Sequence, residues 1–208
     1  MRIYSLLTAI GLIVGSQLSA HSAGDWLVRA RAIDVMPVDS TSKQTGAVVG
    51  STISVHSALV PELDISYMVT DNIGLELILA TSKHSLHGEG ALAGTKIGDT
   101  WMLPPTLTLQ YHFMPCSCYQ PYIGAGVNYT VTYSEDTPLA GTTLSLDNPF
   151  GAAVQAGMDV ELNDCWFFNL DVKYIWVTTE ARLTGTTSGT ADVDLNPWVF
   201  GAGIGRRF

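Results

Sequence analysis

From Trp101 to Phe113 the chain alternates with a period of two. Trp101, Leu103, Pro105, Leu107, Leu109, Tyr111 and Phe113 fall on one parity; Met102, Pro104, Thr106, Thr108, Gln110 and His112 fall on the other. Successive side chains of a strand point to opposite faces, so this pattern predicts a strand with one continuous apolar face. Phe150 to Leu162 and Trp166 to Trp176 repeat it. Trp26 to Asp34, Leu59 to Thr70, Ile73 to Ser82, Tyr119 to Tyr133 and Leu195 to Phe208 follow it with varying clarity. Eight strands of about ten residues suit a tilted bilayer crossing, and the even number puts both ends on one side.

The connections alternate in length. Asp71-Asn72, Met114 to Cys118 and Asn163-Asp164 are short, whereas Asp39 to Ala58, Lys83 to Thr100, Ser134 to Pro149 and Val177 to Asp194 are long. Outer-membrane barrels have short periplasmic turns and longer outer loops. The prediction is an all-β fold: an eight-stranded antiparallel transmembrane β-barrel with short periplasmic turns and four longer extracellular loops. Trp26, Tyr67, Trp101, Tyr111, Phe113, Tyr133, Phe150, Trp166, Trp176, Trp198 and Phe208 cluster at strand ends, as rings at the two membrane interfaces do. A soluble barrel would turn its apolar parity inward and carry a charged exterior. Here the polar parity carries glycine and isolated charges, which suits a narrow lumen.

Composition supports this picture and narrows it. The 208 residues are 47% hydrophobic and 14% charged, with a net charge of −9. That hydrophobic content is too high for a disordered chain, and the acidic balance excludes a nucleic-acid partner. Arg2, the apolar run Leu6 to Val14 and Leu18-Ser19-Ala20 read as a secretory signal with a basic start, a short apolar stretch and a small-residue exit. Residues 1–20 are therefore expected to be removed, leaving 21–208 as a single barrel domain. An uncleaved anchor is the alternative, and Ala23 is a second candidate cut.

With a periplasmic amino terminus, depth follows from position along each strand. Inward positions from the periplasmic side to the middle are Arg29, Arg31, Glu62, Asp64, Glu76, His112, Asp159, Glu161, Asp171, Lys173 and Arg207. Nearer the outside they are Ile33, Ile78, Ala80, Met102, Pro104, Ile175 and Val177. Eight strands leave room only for side chains or one small ligand. The charged set is expected to pair into a plug, because losing one partner of a buried pair costs about 3–5 kcal/mol. The apolar set is expected to bind ligand. Lys173 and Glu76 are a candidate gating pair or a structural bridge. Pro104 and Pro105 cannot donate ladder hydrogen bonds, which implies either a wall defect or a bend there.

Other candidate chemistry is sparse. His84 and His87 in a Gly-rich outer connection are read as solvated rather than as metal ligands. No signature sets a nucleophile beside a base, so an enzyme is not expected; a barrel protease or acyltransferase is the runner-up. No metal or cofactor is expected. Cys116, Cys118 and Cys165 all fall at periplasmic turns, so a disulfide from Cys165 to Cys118 or Cys116 is one outcome and three free thiols the other. A Cys116 to Cys118 bridge would be badly strained.

The sequence resembles the OmpW-type eight-stranded outer-membrane proteins. The resemblance rests on His21-Ser22-Ala23-Gly24, the stretch Tyr67-Met68-Val69-Thr70-Asp71-Asn72-Ile73-Gly74-Leu75-Glu76, and Leu103-Pro104-Pro105-Thr106-Leu107. It also rests on Pro121-Tyr122-Ile123-Gly124-Ala125-Gly126-Val127-Asn128-Tyr129-Thr130 and on Asn196-Pro197-Trp198-Val199-Phe200 before Arg207-Phe208. It implies a small barrel in the outer membrane of a Gram-negative bacterium, with a hydrophobic channel for small apolar molecules. It further implies a gate of apolar side chains on the third and seventh barrel strands, here Ile78 and Lys173; the lysine departs from the family's aromatic. The last strand, ending in Phe208, resembles the signal read by barrel-assembly machinery, with Arg206 where that signal has an aromatic. Two functions follow as expectations: passive uptake of small hydrophobic solutes with sideways release into outer-membrane lipid, or a non-conducting barrel whose loops contact partners. Neither the solute nor the assembly state is legible.

Overall fold

The computed structural model describes residues 21–38, 40–55, 57–90 and 93–208; the expected signal, residues 1–20, lies outside them. In chain order the strands are β1 (Trp26–Met36), β2 (Ser40–Ser42), β3 (Ser51–Val55), β4 (Ala58–Met68), β5 (Ile73–Ala80), β6 (Ser82–Gly90), β7 (Lys96–Leu103) and β8 (Thr106–His112). They continue with β9 (Tyr119–Tyr129), β10 (Val131–Asp136), β11 (Thr142–Leu146), β12 (Phe150–Glu161), β13 (Trp166–Trp176), β14 (Thr178–Gly185), β15 (Gly189–Asp194) and β16 (Trp198–Arg207).

Eight of these close a ring in the order β1-β16-β13-β12-β9-β8-β5-β4, every neighbour antiparallel. The backbone of Phe208 finishes the seam, exchanging hydrogen bonds of 2.9 and 3.1 Å with Trp26. Closure leaves no unpaired edge in lipid, the condition for a sheet to cross a bilayer. The expected outward row does face outward: Trp101, Leu107, Leu109, Tyr111 and Phe113 are exposed. With Leu63, Leu75, Leu77, Ile123, Val127, Val154, Leu170, Phe200 and Ile204 they form a belt that a water-facing surface would not tolerate. Two aromatic girdles bound it. Trp26–Tyr67 and Tyr111–Phe113 pair at one end; Tyr129–Phe150, Tyr174–Trp198 and Trp101–Tyr133 pair at the other.

The four long connections are not loops. Each barrel strand continues outward, and the continuations gather into two four-stranded sheets, β10-β7-β6-β3 and β11-β14-β15-β2. This corrects the expectation of four loops without regular structure there, and the physical reason lies in parity. Along β13 and β14 the inward side chains are Asn169, Asp171, Lys173, Ile175, Val177, Thr179, Ala181 and Leu183, all buried. Inward is polar up to Lys173 and, Thr179 apart, apolar from Ile175 on; outward is Trp166, Phe168 and Leu170 below but Thr178, Glu180 and Arg182 above. The outer solvent changes from lipid to water, so the amphipathic pattern inverts while the strand runs on. Val48, Ile53, Leu86 and Ile97 join Leu144, Leu146, Leu183 and Val193 in the resulting crown core, which is continuous with Ile33, Met102, Ile175 and Val199 below.

The expected strand Trp101 to Phe113 is broken at Pro104-Pro105. On one side the ladder runs to Ile78–Thr106 and resumes at Ser82–Met102; on the other it runs to Thr106–Asn128 and resumes at Leu103–Val131. Two prolines in a row remove two donors, so the regular ladder is interrupted there, although Tyr129 still donates to the Pro105 carbonyl at 3.0 Å.

Candidate functional site

The barrel interior has two storeys. The lower is a network of ions, its members projecting from alternate positions of β1, β4, β5, β12, β13 and β16. Arg29 on β1 lies 2.7 Å from Asp159 and 3.3 Å from Glu76. Arg31 reaches Asp64 at 2.7 Å, Glu62 at 2.9 Å and Asp171 at 3.5 Å. Lys173 bridges Glu62 at 2.8 Å and Asp171 at 2.9 Å, and Arg207 meets Glu161 at 3.4 Å. Of the ten charged residues named from the sequence, eight join in one network, and Arg207 with Glu161 forms a separate pair at the periplasmic end. Lys173 does not pair with Glu76, because the register sets Glu62 and Asp171 around it while Arg29 takes Glu76.

Neutral residues finish the plug, and parity alone did not single them out. Gln110 and Gln155 each donate to Glu76 Oε2 at 2.7 Å. The Tyr122 hydroxyl donates to Asp171 at 2.9 Å and accepts from Asn169 at 3.0 Å. Arg29 is held between the rings of Tyr122 and Phe167, each centroid about 5.5 Å away, an arrangement that offsets part of its desolvation. Glycine makes the space: a Cβ on Gly157 would strike Tyr122, and one on Gly205 would strike Phe167.

Above the plug is an apolar cavity of about 740 Å³, counting its open mouth. Ile33, Ile78, Ala80, Met102, Pro104, Ile175 and Val177 all line it, and Glu62 marks its floor. Its wall also carries Ser82, His84, Asn128 and Thr130. His84 is 4% exposed and its Nε2 lies 2.8 Å from Ser82 Oγ, so the expected solvated histidine faces inward. The inward parity of β5 continues through β6 to His84, a consequence hidden while that stretch was taken for a loop. Asn128 donates to the Pro104 carbonyl at 3.2 Å, holding the proline step against β9.

A closed eight-stranded barrel with a lipid-facing belt and two girdles is an outer-membrane architecture, and residues 22–208 match the OmpW family model. The chain belongs to the OmpW family. It is 38% identical to outer membrane protein W of Vibrio cholerae over 97% of this chain and 99% of that one. The crystal structure of OprG from Pseudomonas aeruginosa superposes with a TM-score of 0.86 at 35% identity, covering 91% of this chain and 98% of that one. The dibenzothiophene metabolism operon protein PahQ of Pseudomonas aeruginosa is 31% identical over 70% of this chain and 69% of its own length. The protein is thus an outer-membrane barrel. Of the two gate positions that the OmpW resemblance implied, Ile78 lies in the cavity wall and Lys173 in the ion network.

The cysteines do not bridge. Cys116, Cys118 and Cys165 are free and exposed, the second of the two outcomes left open by the sequence. The Cys118 carbonyl accepts from Glu161 on β12, whereas that of Cys165 accepts from Arg207 on β16. With β12 running between β9 and β13, Cys118 and Cys165 are two strand spacings apart, about 9–10 Å, beyond the reach of a disulfide.

Proposed function

We propose that this OmpW-family barrel takes small hydrophobic molecules from outside into its upper cavity and releases them sideways into the bilayer. The observation that carries this is the junction of three features: an apolar cavity, a buried ion network beneath it, and a lapse in the ladder beside it at Pro104-Pro105. Magnitudes choose the exit. Passage downward would part several buried ion pairs, each costing about 3–5 kcal/mol when one partner is left alone. Parting the wall beside the prolines uncovers a few backbone groups at about 1–3 kcal/mol each, and two donors are already missing. An apolar solute gains about 0.8 kcal/mol for each CH₂ it buries, enough to hold it in the cavity without trapping it. The name of PahQ links that relative to the metabolism of an aromatic sulfur heterocycle, the class of solute such a cavity suits. Arrival in the membrane is expected to depend on Phe208, whose backbone closes the ring and whose side chain is offered to assembly machinery.

Uptake of a fluorescent apolar solute into proteoliposomes tests the proposal, with Ile78→Trp and Ala80→Phe filling the cavity and planar-bilayer current measured in parallel. Filling should lower uptake while current stays negligible. Unchanged uptake in both variants favours a surface role for the crown, and a large ohmic current indifferent to apolar solutes removes the plug.

A further inference from the structure

At the periplasmic end of the floor, three side chains from separate elements converge outside the uptake path. They are His21 ahead of β1, His112 at the end of β8 and Asp159 on β12, and one donor atom of each lies within 4.8 Å of the other two. His21 is 1% exposed and the other two are 0% exposed. His21 Nε2 stands 3.5 Å from Asp159 Oδ2, and the two imidazoles meet edge to face with centroids 5.3 Å apart.

Hydrogen bonding fixes which nitrogens are available. Gln110 must turn its NH₂ to the Glu76 carboxylate, which only accepts, so its Oε1 faces His112 Nε2 at 3.3 Å. That makes Nε2 of His112 the protonated nitrogen and leaves a lone pair on Nδ1. Among the described residues, Nδ1 of His112 and Nδ1 of His21 have no hydrogen-bond partner, although buried polar atoms nearly always find one. Charge points the same way. Glu62, Asp64, Glu76, Asp159, Glu161 and Asp171 share the four cations Arg29, Arg31, Lys173 and Arg207, and Asp25 also meets Arg207 at 4.0 Å, so negative charge stands in excess.

We propose that His21, His112 and Asp159 bind a first-row divalent transition metal ion that pins the segment before β1 across the barrel floor. Two imidazoles and a carboxylate are a donor set for zinc and its neighbours, and a 2+ ion offsets the excess negative charge. Bonds of about 2.0–2.2 Å bring tetrahedral donors to roughly 3.3 Å from one another, so the donors must close in by rotation of the rings. Asp159 Oδ2 keeps Arg29 at 2.7 Å on one lone pair and offers the other. Asn169, donating to Asp159 Oδ1 at 2.7 Å, and Gln110, accepting from His112, orient the ligands from behind.

The exposed thiols would also take up zinc, so the experiment uses the full barrel carrying Cys116→Ser, Cys118→Ser and Cys165→Ser, stripped of metal and titrated with Zn²⁺ by calorimetry and with Co²⁺ by visible absorption. One equivalent of each should bind, with Co²⁺ giving ligand-field bands. Binding should be lost in His21→Ala and His112→Phe, and weakened about 10–100-fold in Gln110→Ala. Heat modifiability on gels identifies folded barrels. Because His21 precedes the first strand, its variant carries the test if the His112 variant does not fold. Absence of saturable binding by the folded Cys-free protein would overturn the proposal, as would unchanged affinity in folded His21→Ala. So would an intact mass showing that the chain in the membrane starts at Gly24.

Discussion

The two storeys of the lumen are built from the same inward parity of the same strands, yet they hold opposite chemistry. Below, Arg31 alone contacts four carboxylates. A few residues higher, Ile33 on the same strand faces Ile78, Ile175 and Val199 around an open cavity. The floor is full because ions in a narrow, dry interior must each meet a partner, and the glycines opposite Tyr122 and Phe167 let bulky side chains fill what is left. The upper storey stays open because its aliphatic groups impose no such demand. A floor packed with ions and a pocket lined by hydrocarbon thus arise within one barrel without any change of fold.

The sharpest way to break this contrast is to unbalance the floor. Arg31→Ala strands Asp64 and leaves Glu62 and Asp171 to Lys173 alone, and should destabilise the barrel by about 3–5 kcal/mol in urea unfolding from lipid vesicles. A loss below about 1 kcal/mol would mean that water already reaches these groups. Overfilling tests the packing directly: Gly205→Leu must displace Phe167 and should cost about 1–3 kcal/mol in the same assay. The upper storey responds differently. Pro105→Ala restores a ladder donor beside the cavity, which should stabilise the wall by about 0.5–1.5 kcal/mol and slow solute release. Faster release from that variant would argue for another exit.

The smallest effect belongs to the crown. Ser85 and Lys96 hydrogen-bond the Asp99 carboxylate at 2.7 and 2.8 Å, and these bonds hold its pKa down to about 2 from an ordinary 3.8. A depressed carboxylate contributes stability above its unfolded pKa and loses it as pH falls through the folded one. The contribution should therefore vanish between about pH 4 and pH 2, and water and salt weaken it because the pair is exposed. Lys96→Gln should move the Asp99 titration in NMR toward the ordinary value, with the floor unaffected.

Much of the site was legible before any coordinates. Period two gave the outward belt, and depth along each strand sorted Arg29, Lys173 and their partners from Ile33, Met102 and Val177. The crown is not legible as strands because its outward positions are polar. In Thr178 to Gly185 the residues Thr178, Glu180, Arg182 and Thr184 are the outward face of a strand whose outer solvent has become water. His84 was misplaced for the same reason, and the Cys118–Cys165 bridge was entertained because a shared membrane side was taken for proximity.

Alternation along one strand is a local property, fixed by the pleat, so the chain alone decided which side chains face lipid and which face the axis. Which inward groups touch across the barrel depends on the register of eight ladders and on ring closure. That is why Arg29 with Asp159, Lys173 with Glu62, and the meeting of His21 with His112 were decided only in three dimensions.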